Sequence, residues 1–182
     1  KWFWRFNMRR LTAEELRDSV LVTTGRLNRK MGGPSVYIKL PEEYLATSST
    51  KGGKWGRSSE EDQVRRSVYT KVKRSLVPPI LQDFDLADTD GTCPVRFRSI
   101  LPTQALAMMN SETATRSARE IASMLDPGMS PRSFVRETFR RVLARDPAEE
   151  ELAESLSYLE DQPRRDYFIH ALINLNDFLV IR

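Results

Sequence analysis

The chain has 182 residues, 40% of them apolar and 30% charged, with 29 Lys+Arg against 25 Asp+Glu for a formal charge of +4. That balance excludes a disordered polyelectrolyte, and no apolar run nears the roughly 18 residues that a bilayer span requires. The single Cys and single His exclude an internal disulfide, a multi-cysteine zinc centre and a His-pair metal motif.

The charge is uneven. Residues 1–75 carry 17 basic against 8 acidic side chains and residues 76–182 carry 12 against 17, so the two parts hold +9 and −5. A basic half favours phosphate, sulfated glycan, nucleic acid or an acidic protein, or is compensated by the acidic half. The chain opens at Lys1 without a signal pattern and reads as the C-terminal piece of a longer protein. Trp2-Phe3-Trp4-Arg5-Phe6 is too apolar to stand in water and is expected to pack on the core or on a preceding segment.

Thr12-Ala13-Glu14-Glu15 is a capping box, with Leu11 and Leu16 at the staple positions. Ala13, Leu16, Val20, Thr24 and Leu27 repeat at helical spacing, and Gly32-Gly33-Pro34 is the expected stop. Val36, Ile38 and Leu40 alternate with Tyr37 and Lys39, which predicts a short strand over 35–40. Residues 46–59 form a polar loop around Trp55. Val64, Val68 and Val72 fit both periods, but the β-branched and aromatic content of 67–72 favours a strand, antiparallel to 35–40. Pro78-Pro79 ends it and opens a helical turn over 80–84.

Residues 85–93 form a loop, and 95–98 a short extended piece. Pro102 opens a helix over 103–109. Asn110 or Ser111 caps the next, whose apolar face is Ala114, Ser117, Ala118, Ile121, Ala122 and Leu125. Three helices close the chain. Ser130-Pro131 starts one, with Phe134, Val135, Thr138, Phe139, Val142 and Leu143 inward. Asp146-Pro147 caps the second, with Glu149 completing the box and Leu152, Leu156 and Leu159 inward. The third follows Gln162-Pro163 with Tyr167, Phe168, Ala171, Leu172 and Leu175 inward. The expectation is a mainly α domain with a small two-stranded antiparallel β element and long polar loops. Residues 1–182 read as one domain, and 111–182 as its helical C-terminal subdomain.

Two groups carry chemistry. Asp83, Asp85, Asp88 and Asp90, followed by Gly91, offer hard oxygens on a flexible loop, as calcium requires. They match only part of an EF-hand loop, because Arg96 stands where its closing Glu belongs. The plainer reading is turn chemistry and ion pairing. Arg65, Arg66, Lys73, Arg74, Arg96 and Arg98 flank these aspartates. They would either bind an anion through guanidinium forks or form an internal ion-pair network with Asp83, Asp85 and Asp88. Cys93 would need a base to act as a nucleophile, and His170 among apolar positions is a poor one. The helices on either side of Arg145-Asp146-Pro147 outline a helix-turn-helix. The second begins Ala148-Glu149-Glu150-Glu151, which repels phosphate and argues against DNA.

Several stretches then resemble one family: Arg9-Arg10-Leu11-Thr12-Ala13-Glu14-Glu15-Leu16-Arg17-Asp18, Met31-Gly32-Gly33-Pro34, Arg65-Arg66-Ser67-Val68-Tyr69 with Lys73-Arg74, and Phe84-Asp85 with Asp88, Cys93 and Arg96. So do Pro102-Thr103-Gln104-Ala105-Leu106 with Asn110, and Leu172-Ile173-Asn174-Leu175-Asn176-Asp177-Phe178. Together they are similar to the planctomycete-type C-terminal domain of unknown function, the PSD domain, of large proteins with a cytochrome-c-like domain. The resemblance implies an exported, extracytoplasmic parent with haem in its other parts, none of it attached here. It implies no catalytic residues. The reading is a non-catalytic structural or interaction module whose partners are other domains of the parent, an acidic protein or an anionic glycan. The alternative is a metal-dependent enzyme or anionic-glycan-binding domain using residues 83–90 and the neighbouring arginines.

Overall fold

A computed structural model describes residues 7–46, 55–74, 76–89 and 91–181. It is mainly helical with one small antiparallel sheet, and it divides into two compact units: Thr12–Leu101, and the chain on either side of that span.

In chain order, β1 is Arg9–Arg10 and α1 is Ala13–Thr23. Helices α2, Glu42–Ala46, α3, Glu60–Gln63, and α4, Pro79–Asp83, follow, with a 3-10 turn at Ser67–Tyr69. Then come α5, Pro102–Met109, α6, Glu112–Met124, α7, Pro131–Leu143, and α8, Glu149–Asp161. Helices α9, Arg165–Ile173, and α10, Asn176–Leu179, lead into β2, Val180–Ile181.

The unit Thr12–Leu101 is built on α1. Its capping box forms as expected: Glu15 N donates to Thr12 Oγ1 at 3.3 Å, and Glu15 Oε2 accepts from Thr12 N at 2.9 Å. Leu16 and Val20 are buried, and α1 packs on α4 and on the 3-10 turn. The helix stops well before Gly32. Thr23 and Thr24 turn their hydroxyls back onto the carbonyls of Val20 and Leu21. Gly25 takes φ +67°, and Gly25 N and Arg26 N donate to Val22 O and Leu21 O at 2.9 and 3.0 Å, a Schellman close. Arg26, Arg29 and Lys30 therefore lie beyond the helix.

The predicted antiparallel pairing of 35–40 with 67–72 is replaced by one parallel bridge, Val36 to Thr70. Val36 N donates to Tyr69 O and Lys71 N to Val36 O, both at 2.8 Å. Side chains take the other ladder positions: Tyr37 N donates to Ser58 Oγ and Lys39 N to Gln63 Oε1. The antiparallel sheet lies elsewhere, with Arg9 opposite Ile181 and Arg10 opposite Val180, and Leu11 N donates to Leu179 O at 2.8 Å.

In the second unit α9 packs on α6 and α7, and α7 on α8. Ser111 and Ser130 cap α6 and α7 through their hydroxyls. Phe168 is central, with ring centroids 5.9, 6.5 and 6.1 Å from Phe134, Phe139 and Tyr158. The inward face of α9 is Phe168, Ile169, Leu172 and Ile173; Tyr167 and Leu175, expected inside, are exposed. In α8 only Leu152 of the three expected leucines is fully buried.

Asp146 does not cap α8, because Arg140 Nε holds its carboxylate at 2.7 Å. The cap position is Ala148, whose N–H donates to Glu151 Oε2 at 2.8 Å. Glu151 also receives both ends of the Arg145 guanidinium at 2.6 Å, and Arg145 Nη2 reaches Asp177 Oδ2 on α10 at 2.6 Å. Arg145 thus ties the end of α7 to the starts of α8 and α10. The Arg145 hydrogen bonds, followed by the Ala148 N–H, hold the Glu151 carboxyl down at about 2, below its ordinary 4.5. A depressed carboxyl contributes stability above its unfolded pKa and loses it as pH falls through the folded one. Unfolding stability should therefore fall between about pH 4.5 and 2, and Glu151→Gln should flatten that slope in urea titrations run across it. An unchanged slope would remove Glu151 from the acid transition.

Candidate functional site

The charged side chains of greatest structural consequence lie between α1 and residues 63–70. The apolar stripe of α1 carries one intruder, Arg17, which is buried with it. Burial lowers the Arg17 guanidinium to about 10, with Asp18 acting the other way. Nη1 donates to Arg65 O and Ser67 Oγ, both at 3.0 Å, and Nη2 to Gln63 O at 2.5 Å. Asp18 Oδ1 accepts from Ser67 N at 2.7 Å, and Arg66 Nε lies 3.5 Å from Asp18 Oδ2. Two adjacent helix residues thus hold the main chain at 63–67. This grip competes with a regular strand there.

Arg65 is 1% exposed. Its guanidinium donates to the carbonyls of Lys30 at 3.2 Å, Pro34 at 3.3 Å and Gly32. It also lies 4.0 Å over the Tyr69 ring. The Tyr69 hydroxyl accepts from Gly32 N at 2.8 Å, closing the turn from the other side. Gly32 and Gly33 have φ of +72° and +83°, so the turn that brings three carbonyls onto one guanidinium requires glycine. The chain order Met31-Gly32-Gly33-Pro34 and Arg65-x-x-x-Tyr69 is thereby one structure.

Arg96 makes a fork with Glu14 on α1, three contacts of 3.0–3.1 Å, and donates to Asp85 O at 3.0 Å. Asp85 has φ 60°, and its carboxylate accepts from Ser99 N at 2.8 Å and Ser99 Oγ at 2.9 Å. Asp83 ends α4, and desolvation by its surroundings raises its carboxyl. Burial raises the Tyr44 phenol, with Asp83 adding to it. Asp88 is exposed on the loop, and Asp90 lies outside the described residues. Among the described residues no group of three or more His, Cys, Asp or Glu side chains is placed to hold a metal ion. Lys73 lies over Tyr37 and Trp55 at 5.8 and 5.7 Å, while Arg74 and Arg98 are exposed. Cys93 is exposed in this unit, and His170 belongs to the other.

Of the predicted groups, Arg65, Arg66, Arg96 and Asp85 have partners that define this region, and those partners are not the ones the charge pattern suggested. Arg96 turns to Glu14, Arg66 to Asp18, and Arg65 to main-chain carbonyls. Arg17, Asp18, Glu14 and Ser67 were not legible as members of this network. The available signal was an arginine at a core position of an otherwise apolar stripe. The Nη donors of Arg17, Arg65 and Arg96 are spent on fixed acceptors, while the buried Arg65 Nε has no partner among the described residues; the arrangement suits holding chain segments together.

A family model described as PSD1, Protein of unknown function (DUF1553), matches residues 1–159. No curated protein and no solved structure matches the chain.

Proposed function

Because the chain belongs to the PSD1 family of proteins of unknown function (DUF1553), we propose that it is a non-catalytic structural or interaction module of an exported multidomain protein that carries a cytochrome-c-like domain elsewhere. The other domains of that parent are its partners, and the compartment is extracytoplasmic. The observation supporting this reading is the use of Arg65: a buried guanidinium committed to three main-chain carbonyls and a tyrosine face. Arg17 is committed to two main-chain carbonyls and a hydroxyl, and Arg96 to the Glu14 carboxylate and one carbonyl. Such groups stabilise a scaffold and leave little donor capacity for an incoming anion.

Arg96→Ala tests it. The Arg96–Glu14 fork is about two-thirds shielded from water, so its loss should cost about 1 kcal/mol and lower the melting temperature by roughly 2–4 °C with no ligand present. Wild-type protein melted in chelator, then with calcium, then with a sulfated oligosaccharide, should not shift. A rise of several degrees with calcium or the oligosaccharide would mean that the folded state binds it. The metal-dependent or glycan-binding alternative would then replace the module.

A further inference from the structure

Residues 95–101, within the unit Thr12–Leu101, expose an unusual row of apolar side chains. Val95 is 68% exposed, Phe97 84% and Ile100 80%, and Leu101 is also exposed. Exposed apolar side chains gathered this closely along one segment are a feature of interaction sites in soluble domains. The segment is pinned from beneath. Arg96 is locked on Glu14 and Asp85 O, and Ser99 on the Asp85 carboxylate. Phe97, Arg98 and Ile100 occupy the positions between and after those anchors.

Two further features select the partner. The main-chain N–H groups of Val95, Arg96, Phe97, Arg98 and Ile100 donate to no acceptor among the described residues. From Gly91 to Ser111 the sequence has no Asp or Glu, and its only charges are Arg96 and Arg98. Arg98 is exposed and makes no ion pair among the described residues.

We propose that residues 95–101 are a docking strip for an extended, apolar protein segment bearing carboxylates, which pairs with this main chain, packs on Phe97 and Ile100, and places an acid on Arg98. The inference rests on the module reading and names the kind of partner it takes. A second copy fits poorly. Antiparallel self-pairing about Phe97 sets Arg96 against Arg98, pairing about Arg98 sets it against itself, and parallel pairing opposes both arginines to their copies. A bilayer surface also fits poorly, because five unpaired N–H groups would enter it without acceptors. An incoming strand supplies acceptors along the one edge it pairs with, which takes alternate N–H groups of the segment.

The probe is a labelled short peptide of alternating valine and glutamate, with a valine–lysine peptide as control, followed by fluorescence anisotropy on the whole chain. Saturable binding of the acidic peptide is expected, weakened about tenfold or more by Phe97→Ser with Ile100→Ser. Arg98→Glu should shift the preference to the lysine peptide. Hydrogen exchange of the amides at 95–100 should slow when the acidic peptide is added. The Ser variants should melt with the wild type, because the replaced side chains are exposed. No saturable binding, or equal binding of both peptides, would overturn the strip. So would Phe97-dependent dimerisation by sedimentation, or Phe97-dependent binding to anionic vesicles without peptide binding. The module reading is judged separately, by the calcium and oligosaccharide melts, so either can fail while the other stands.

Discussion

Arg65→Ala is expected to lower the free energy of unfolding by about 3 kcal/mol, read as a fall in the urea midpoint at unchanged slope. Truncation leaves the carbonyls of Lys30, Gly32 and Pro34 without their donor and removes the packing on Tyr69. An orphaned buried acceptor costs about 1–3 kcal/mol, but residues 30–35 are exposed and water can re-enter. That places the total nearer one such penalty at its upper end than three. Against a typical domain stability of about 5–15 kcal/mol, this is a large fraction. Arg65→Lys keeps the charge but replaces a planar fork with one ammonium, which cannot serve three carbonyls in fixed directions. It should recover less than half of the loss. Arg17→Ala should couple to it, since Arg17 donates to the carbonyl of Arg65 itself. A double-mutant cycle then reads an interaction of about 0.5–3 kcal/mol. A wild-type midpoint in Arg65→Ala would mean that the guanidinium is not what holds the turn.

Phe168→Ala should destabilise the other unit by about 3–5 kcal/mol. Its ring is the common neighbour of Phe134 and Phe139 on α7 and of Tyr158 on α8. Removing it opens a cavity between three helices, and Phe134, fully buried beside it, has no solvent side to relax toward. Phe168→Leu should cost less, because it refills part of the volume. The adjacent Tyr167→Ala is the contrast. Tyr167 is exposed and touches Arg164 at 3.9 Å, so its loss should lie within about 0.5 kcal/mol. Urea unfolding followed by circular dichroism separates the two. Equal costs would mean that Tyr167 shares the buried face with Phe168, as the sequence pattern alone had both of them inward.

Those two positions show how far local signals reach. Helix starts were legible at four places where a hydroxyl or proline stood before a periodic run: Thr12, Ser111, Ser130 and Pro79 act as read. Each depends on neighbours within four residues. The mainly α class, the family and the amphipathic stripes of α6 and α7 were legible for the same reason. Failures came where a distant contact outranked a near one. Asp146 lost its capping role to Arg140, and Tyr167 has a polar tip that lets it sit outside while Ile169 takes the core. Residues 64–72 satisfied two periods at once and follow neither: held by Arg17 and Asp18, they form a 3-10 turn between isolated bridges.

The candidate site was half legible. Its arginines were visible as a cluster, and opposite charges near in sequence were the natural partners to assign. Burial changed the assignment. The Nη donors of a guanidinium can be taken up by carbonyls that carry no net charge, and glycines at 32 and 33 let the chain supply them. No charge pattern encodes that choice. The sheet was illegible for a different reason: two strands of two residues each, at opposite ends of the described chain, leave no periodic trace.

That pairing of Arg9–Arg10 with Val180–Ile181 sets an order of events on the ribosome. The unit Thr12–Leu101 is complete in emerged chain while roughly 80 residues of its companion are still to be made. At about 5–20 residues per second, the roughly 170 residues between the strands keep the first waiting roughly 9–34 s for the second. During that delay it is an open edge with nothing to pair with. Two consecutive arginines are a suitable composition for such an edge, because their charges repel other nascent chains carrying the same one. Closing this sheet therefore has to wait until Val180 and Ile181 have been made.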